Sequence, residues 1–227
     1  MNEHTLPFDP QLARQVKAES LEPHQRPTSA ALMTACDFYR QNMIKHPFVS
    51  DFHCYSELLH ACLLEGDPTV ISYVPQPYLL RIQKKRYTPD CHIVSEDQPR
   101  RVVELRPRGE MAEHEKLALI AFFQQFRIVF EVISNESVLE REMEALNWRE
   151  IVQILHQARH FTTTDAEQQV LEKLTQKGPC SLGDIIDDGD RERTYQLEIA
   201  LFRLLHRGYL SAELREAPLD YDTEVAR

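Results

Sequence analysis

Apolar residues at Tyr55, Leu58, Leu59, Cys62 and Leu63 recur at helical spacing until Glu65-Gly66-Asp67-Pro68 interrupts them. This predicts a helix from near Ser50-Asp51 with Glu57 beside its buried stripe. An earlier stripe, Leu32, Cys36, Tyr39 and Met43, predicts a helix from Thr28-Ser29 toward Lys45, with Ser29 as cap and Pro47 as stop. Short β-rich runs follow at Val70–Val74, Tyr78–Ile82, Cys91–Val94 and Arg101–Arg106, separated by proline and charged turn material. A helix is expected over Glu110–Phe126, with Leu117, Ile120, Ala121 and Gln124 on one face, and then a strand over Ile128–Ile133. That β-α-β order implies a right-handed crossover, so the fold class is α/β. Asn135–Ala158 reads as a further helix.

The last eighty residues change character. Asp165 and Ser181 read as caps of two helices, Asp187-Asp188-Gly189-Asp190 as a turn, and Arg191–Arg207 as a third helix closed by Gly208, with Tyr209–Leu214 as a strand. Leu197, Ala200, Leu201, Leu204 and Leu205 form the inner stripe of the third helix. Three helices followed by a strand is the winged-helix arrangement. Residues 1–28 are polar and broken by Pro7, Pro10, Pro23 and Pro27, and read as a flexible arm. The expected organisation is therefore arm 1–28, α/β domain 29–146 and winged helix 147–227.

Composition changes this picture only slightly. With 42% hydrophobic and 27% charged residues, the chain has the balance of folded soluble domains. No run approaches the ~20 apolar residues of a membrane span, and Met1-Asn2-Glu3-His4 lacks a secretory signal's basic and apolar regions, so a cytoplasmic protein is expected. Cysteines 36, 54, 62, 91 and 180 match neither a disulfide framework nor a zinc spacing.

Charge is more telling. The net charge is −10, yet residues 78–108 carry eight basic and four acidic side chains, 8 − 4 = +4. Lys84, Lys85, Arg86 and Arg108 in that stretch are candidate DNA contacts around an acidic centre. Residues 147–227 carry ten basic and fifteen acidic side chains, 10 − 15 = −5, so protein docking competes with DNA reading there.

The acidic centre is Asp90, at the end of Arg86-Tyr87-Thr88-Pro89-Asp90, and Glu104, in Glu104-Leu105-Arg106. Hydrolysing a phosphodiester at neutral pH calls for hard divalent ions, which a few carboxylates hold together with water and phosphate oxygens. Asp90 and Glu104 supply that pair, and Glu57 becomes a third acid if its helix packs on the sheet. Alternation along a strand points Val102, Glu104 and Arg106 to one face. Pro89 fixes its own φ and biases Thr88 to an extended form, aiming Asp90 into the strand. Taken alone, Glu104-Leu105-Arg106 fits any half-exposed strand equally well, and Gln76-Pro77 fits a strand-edge turn.

The ordered set is more specific. Ser56-Glu57-Leu58-Leu59, Val70 with Gln76-Pro77, Arg86-Tyr87-Thr88-Pro89-Asp90, Val103-Glu104-Leu105-Arg106-Pro107, the helix around Lys116 and Phe130-Glu131-Val132-Ile133 occur in one order. In that order the chain resembles TnsA, the endonuclease subunit of heteromeric bacterial transposases, within the PD-(D/E)xK nuclease superfamily. The resemblance covers roughly residues 29–227. It implies a restriction-endonuclease-like mixed sheet flanked by helices with a C-terminal winged-helix domain, and nicking at transposon 5′ ends with Mg²⁺ or Mn²⁺. It also implies a TnsB-like DDE transposase and a TnsC-like AAA+ regulator as partners. Carried over by position, it makes Glu57, Asp90 and Glu104 the acidic site, sets Gln76 near it, and gives Arg106 the lysine position.

That last position departs from the family pattern. A guanidinium stays protonated and spreads its charge over a planar fork, so Arg106 cannot act as a base, although it can steady charge on a phosphate. Lys116 on the following helix is a candidate replacement if its turn faces the sheet; a solvated surface lysine is the plainer reading. Two other functions remain open: a non-catalytic assembly subunit that clamps DNA and transposase, and a winged-helix regulator.

Overall fold

The computed structural model describes residues 7–227. The chain divides into two compact units. The first comprises Met1–Arg40, Ser50–Glu57 and Val70–Val138, and the second Gln41–Val49, Leu58–Thr69 and Leu139–Arg227. The elements in order are α1 (Pro10–Ala13), β1 (Val16–Ala18), α2 (Ala30–Ala35), β2 (Tyr39–Asn42), β3 (Val49–Phe52), α3 (Tyr55–Gly66), β4 (Val70–Pro75), β5 (Leu80–Ile82), β6 (Lys85–Tyr87), β7 (Cys91–Ser95), β8 (Arg100–Arg106), α4 (Glu113–Gln124) and β9 (Ile128–Ser134). They continue with α5 (Asn135–Leu139), α6 (Glu142–Gln157), α7 (Thr164–Lys177), β10 (Cys180–Ser181), α8 (Arg191–His206), β11 (Ser211–Ala212) and β12 (Glu224–Ala226). The protein is thus a mixed α/β structure. None of the described helices is long and apolar enough to cross a membrane.

The first unit is organised by a four-stranded sheet of order β4-β7-β8-β9. β4, β7 and β8 pair antiparallel, whereas β8 and β9 run parallel from Arg100↔Ile128 to Arg106↔Ser134. A parallel pair needs a crossover, and α4 supplies it. Its apolar residues Ala118, Leu119, Phe122 and Phe123 bury against Val102, Ile128 and Phe130, and Phe123 stacks on Phe130 with ring centroids 5.9 Å apart. A smaller sheet of order β1-β5-β6 adds Val16, Leu80, Ile82 and Tyr87 to the same core. Burial of Ala118, Leu119, Phe122 and Phe123 corrects the expected face of this helix, since Leu117, Ile120 and Gln124 are only half-buried.

The second unit builds its core from Trp148, Ile151 and Val152 of α6, Val170 and Leu174 of α7, and Ile199, Ala200, Leu201, Leu204 and Leu205 of α8. Ala200, Leu201, Leu204 and Leu205 bury as expected; Leu197 is half-buried. Between α7 and α8 the chain makes β10 and a 3-10 turn, Leu182–Asp184, closed by a capping box between Ser181 and Asp184. β10, β12 and β11 form an antiparallel sheet with β12 central. Gly178 and Gly208, at φ 78° and 73°, end α7 and α8 in the left-handed region, the backbone state glycine adopts without Cβ strain.

Several expectations are corrected. Of the arm predicted over 1–28, residues 1–6 lie outside the described residues; the rest is structured, because Asp9 caps α1 and Val16–Ala18 pairs with Ile82–Leu80. The helix expected to reach Lys45 stops at Ala35. Beyond it Tyr39–Asn42 is a strand paired with β3, which also takes Ser50–Asp51 out of the following helix. Asn135–Ala158 is two helices, α5 and α6, and α7 is preceded by Thr163, with Asp165 inside its first turn. The strand after Gly208 is only Ser211–Ala212. Residues 41–49 and 58–69, read as part of the first domain, belong to the second unit. There Glu65 accepts the backbone N–H groups of Ile44 and Lys45 at 3.0 and 2.9 Å and pairs with His206 at 2.8 Å.

Gly66 sets one packing limit on α3. A Cβ at this position collides with the Trp148 indole. Gly66→Ala is expected to destabilise the protein by ~1–3 kcal/mol through overpacking. Thermal denaturation checks this; an unchanged midpoint would show that the indole yields without cost.

Candidate active site

Three carboxylates enter the site from three elements. Glu57 stands in the first turn of α3, 9% exposed, and its Oε2 accepts the backbone N–H of His53 at 3.1 Å, as an acid in a first turn can for the exposed amides of a helix start. The same oxygen accepts Gln76 Nε2 at 2.5 Å, and Cys54 Sγ lies 3.6 Å from Oε1. Burial and the Glu57 charge push the Cys54 thiol up to about 12, so it stays protonated.

Asp90 sits immediately before β7, where the buried Pro89 directs the chain between two strands. Its N–H donates to Val103 O at 3.1 Å, and its carbonyl accepts Gln76 N–H at 2.9 Å. Its Oδ2 accepts Leu105 N–H at 2.7 Å. For Oδ1 there is no hydrogen-bond partner among the described residues. Glu104, in β8, is 2% exposed. Its Oε2 accepts the Tyr87 hydroxyl at 2.5 Å, and its Oε1 meets Arg106 Nη2 at 2.5 Å. Glu104 and Arg106 are two residues apart on one strand, so the period of two that predicted a shared face also produces this ion pair.

Gln76 is held with an unusual degree of control. It has φ 41°, a left-handed conformation that costs energy outside glycine. Asp51 N–H donates to Gln25 Oε1 at 3.1 Å, so the Gln25 amide nitrogen faces the other way, toward Asp51 O at 2.7 Å and Gln76 Oε1 at 2.5 Å. Gln76 must then present its own nitrogen to Glu57. This fixes the role of Gln76: its amide oxygen is turned to Gln25, and its NH₂ orients the Glu57 carboxylate. Around the start of this chain, Arg40 grips Asp51 at 2.7 and 3.0 Å, and the Thr28 hydroxyl lies 3.0 Å from His53 Nε2.

All three carboxyl groups are held above the ordinary carboxylate range. Burial is the main cause in each, since a buried charge loses hydration. Like charge adds to it: Glu57 acts on Asp90, Asp90 on Glu104, and Glu104 on Glu57. Arg106 and the donated hydrogen bonds oppose the rise without cancelling it. Burial, and then Glu104, push the Tyr87 hydroxyl far upward, so it remains a donor.

The structure therefore brings together Glu57, Gln76, Asp90, Glu104 and Arg106. Lys116, half-buried in the first turn of α4, makes no hydrogen bond or ion pair with them among the described residues. Of the predicted DNA contacts, Lys84, Lys85 and Arg86 form the exposed β5–β6 hairpin that leads through Tyr87 to Asp90, with Lys85 paired to Glu115 at 3.1 Å. Arg108 is exposed two residues past Arg106, at φ 55°. Sequence reading missed Tyr87 and Gln25 as partners of the site. Tyr87 lay within the Arg86–Asp90 motif, but no local signal marks Gln25.

The donor set fits a hard divalent cation: carboxylate oxygens only, one of them unpartnered, with one guanidinium acting on Glu104 and Asp90. Among the described residues no three His, Cys, Asp or Glu side chains form a ready cage. Mg²⁺ is commonly held by one or two carboxylates completed by water and phosphate, and Asp90 and Glu104 are the residues that could hold it, with Glu57 beside them. Chemically, the arrangement can gather positive charge, a metal or a phosphate-bound cation, at the end of a rigid sheet. Comparison with known protein families gives no match, and no curated protein matches the chain.

The raised carboxyls imply a definite pH response. The folded state binds protons that the unfolded chain, with carboxyls near pKa ~4, has already released, so stability falls as pH rises from that range through the raised values. Asp90→Asn, which keeps an acceptor for Leu105 N–H, is expected to flatten this decline. At pH 8 it should raise the melting temperature by about 2–4 °C for each ~1 kcal/mol relieved. Melting curves across pH check it; a lower midpoint for the variant at every pH would refute the like-charge account.

Proposed function

We propose that this protein is a metal-dependent DNA endonuclease of the TnsA type, nicking at the 5′ ends of a transposon. The observation that carries this reading is the convergence of Glu57, Asp90 and Glu104, from a helix start, a strand start and a strand interior, with Arg106 on the same strand face as Glu104. The order α3, three antiparallel strands β4, β7 and β8, then α4 and the parallel β9 supports a restriction-endonuclease-like core. The succession α7, β10, 3-10 turn, α8, β11, β12 supports a winged helix in the second unit.

In this reading Asp90 and Glu104 hold Mg²⁺ or Mn²⁺, and Glu57, oriented by Gln76, completes the acidic face. A divalent ion held there would supply Lewis acidity toward the scissile phosphate and the attacking water. Leu105 N–H and the Tyr87 hydroxyl keep the two carboxylates aimed, so little reorganisation is needed when charge develops. Lys84, Arg86 and Arg108 attract the DNA backbone locally, against a net charge of −10 that otherwise repels it. The partners are a TnsB-like DDE transposase, which performs strand transfer, and a TnsC-like AAA+ regulator, with the acidic winged helix used for protein docking.

A second reading has its own support. Arg106 lies against Glu104, where it offsets a charge that the nuclease reading assigns to metal binding; this favours an assembly subunit that keeps the nuclease fold without cutting. Nicking of end-containing DNA with partners and Mg²⁺ separates the two. The endonuclease reading expects Asp90→Ala and Glu104→Ala to lower the nicking rate by roughly 10²-fold or more, the scale for losing one preorganised electrostatic group. Uncut DNA with wild type and variants alike would leave the assembly reading.

A further inference from the structure

Glu104 is buried, and its cation is half-exposed. The carboxylate side chain is 3% exposed and tied at Oε2 by Tyr87, whereas the Arg106 side chain that meets Oε1 is 42% exposed. The guanidinium therefore reaches inward from the solvent side, with Arg108 two residues farther along the chain. We propose that Arg106 is an exchangeable cation: in the free protein it occupies Glu104 Oε1, and when DNA binds it moves to a backbone phosphate, so that DNA and divalent-ion binding strengthen one another. The inference rests on the endonuclease reading and adds to it a gate on the metal site.

The exchange has a physical basis on both sides. A guanidinium and a divalent ion compete for one carboxylate through charge repulsion as well as shared oxygens, and repulsion is poorly screened where Glu104 is buried. A phosphate offers the guanidinium a planar, two-toothed partner of like geometry, so Arg106 gives up one charge-assisted contact for another. Once it has moved, Glu57, Asp90 and Glu104 face one another without a compensating cation, and a divalent ion becomes the group that relieves them. A lysine would exchange differently, because its ammonium is a compact, strongly hydrated point charge without the fork. Thermodynamic reciprocity then requires the same factor in both directions: whatever DNA does to ion affinity, the ion does to DNA affinity.

The test measures binding, not cleavage. Full-length protein is titrated with Mn²⁺, followed by the electron paramagnetic resonance of the free ion, with and without a short random-sequence duplex whose own Mn²⁺ uptake is subtracted. Arg106→Gln is expected to bind Mn²⁺ roughly tenfold more tightly than wild type in the absence of DNA, and the duplex to tighten wild type by a similar factor, within the usual range for coupled sites. The duplex should have little effect on ion binding by Arg106→Gln, Arg106→Lys should fall between, and Glu104→Gln should weaken the ion in every background. Circular dichroism verifies that each variant is folded. Equal or weaker Mn²⁺ binding by Arg106→Gln, a duplex effect of the same size in both proteins, or a wild type that does not bind the duplex would overturn the gate. If equal Mn²⁺ binding is accompanied by Mg²⁺-dependent nicking, the gate falls and the nuclease reading stands; if neither protein binds Mn²⁺, both fall.

Discussion

Three acids withdrawn from water and close enough to raise one another's pKa, with Arg106 the one guanidinium paired to them among the described residues, set the terms for the first unit. A carboxylate deprived of water without a matching cation is costly, and the rises at Glu57, Asp90 and Glu104 are the expression of that cost. The fold meets it mostly with neutral donors. His53 N–H and Gln76 hold Glu57, Leu105 N–H holds Asp90, and Tyr87 holds Glu104. Such donors fix direction but add no positive charge, so the repulsion is relieved by retained protons instead. An arrangement selected for stability would pair the acids or replace them with apolar groups of similar volume. One that keeps them aimed and under-compensated carries an electrostatic cost, and the proposed metal site would require such an arrangement.

Holding like charges together requires a rigid frame, and the sheet supplies it from two directions. Glu104 is carried by β8, paired on one side with β7 and on the other, over seven residues, with β9. Asp90 is pinned by its own backbone on both sides, to Val103 and to Gln76. The remaining acid lies outside the sheet, and its orientation is passed along a directed line of amides from the Asp51 N–H through Gln25 and Gln76. Direction matters here because an amide has a donor end and an acceptor end, so fixing the first fixes the last. The positive φ of Gln76 is strain kept beside the acidic cluster by the contacts around it.

How legible all this was in the chain depended on distance along it. Asp90, Glu104 and Arg106 could be read because the proline turn, the strand period and the site lie within the eighteen residues 89–106. Val70–Val74, Cys91–Val94 and Arg101–Arg106 stood out as apolar runs between prolines and charges. The stretch after Ala35 misled: Leu32, Cys36, Tyr39 and Met43 fit a helix, yet Gln41 and Met43 are buried with exposed Arg40 and Asn42 between and beside them, a period of two. Pairing with β3 and the Arg40–Asp51 contact decide that segment, and neither is a local property. Gln25 was unreadable for the same reason, since its partners are Asp51 and Gln76 and its own neighbours are prolines and polar residues.

Arg106 shows where a motif stops being informative. Read as a letter in a pattern, it is a departure from lysine that weakens the case for catalysis. In three dimensions it is a cation supplied by the strand that also carries the acid, meeting Glu104 through Nη2 while the side chain remains 42% exposed. Guanidinium has more donors than Glu104 Oε1 can use and always keeps its charge. The surplus points the residue toward a second acceptor, and the neighbouring hairpin, with Lys84 and Arg86 exposed, has the charge to bring a polyanion there. On the proposed exchange, the arginine engages its two partners, carboxylate and phosphate, in turn, and the sequence departure becomes a statement about order of binding.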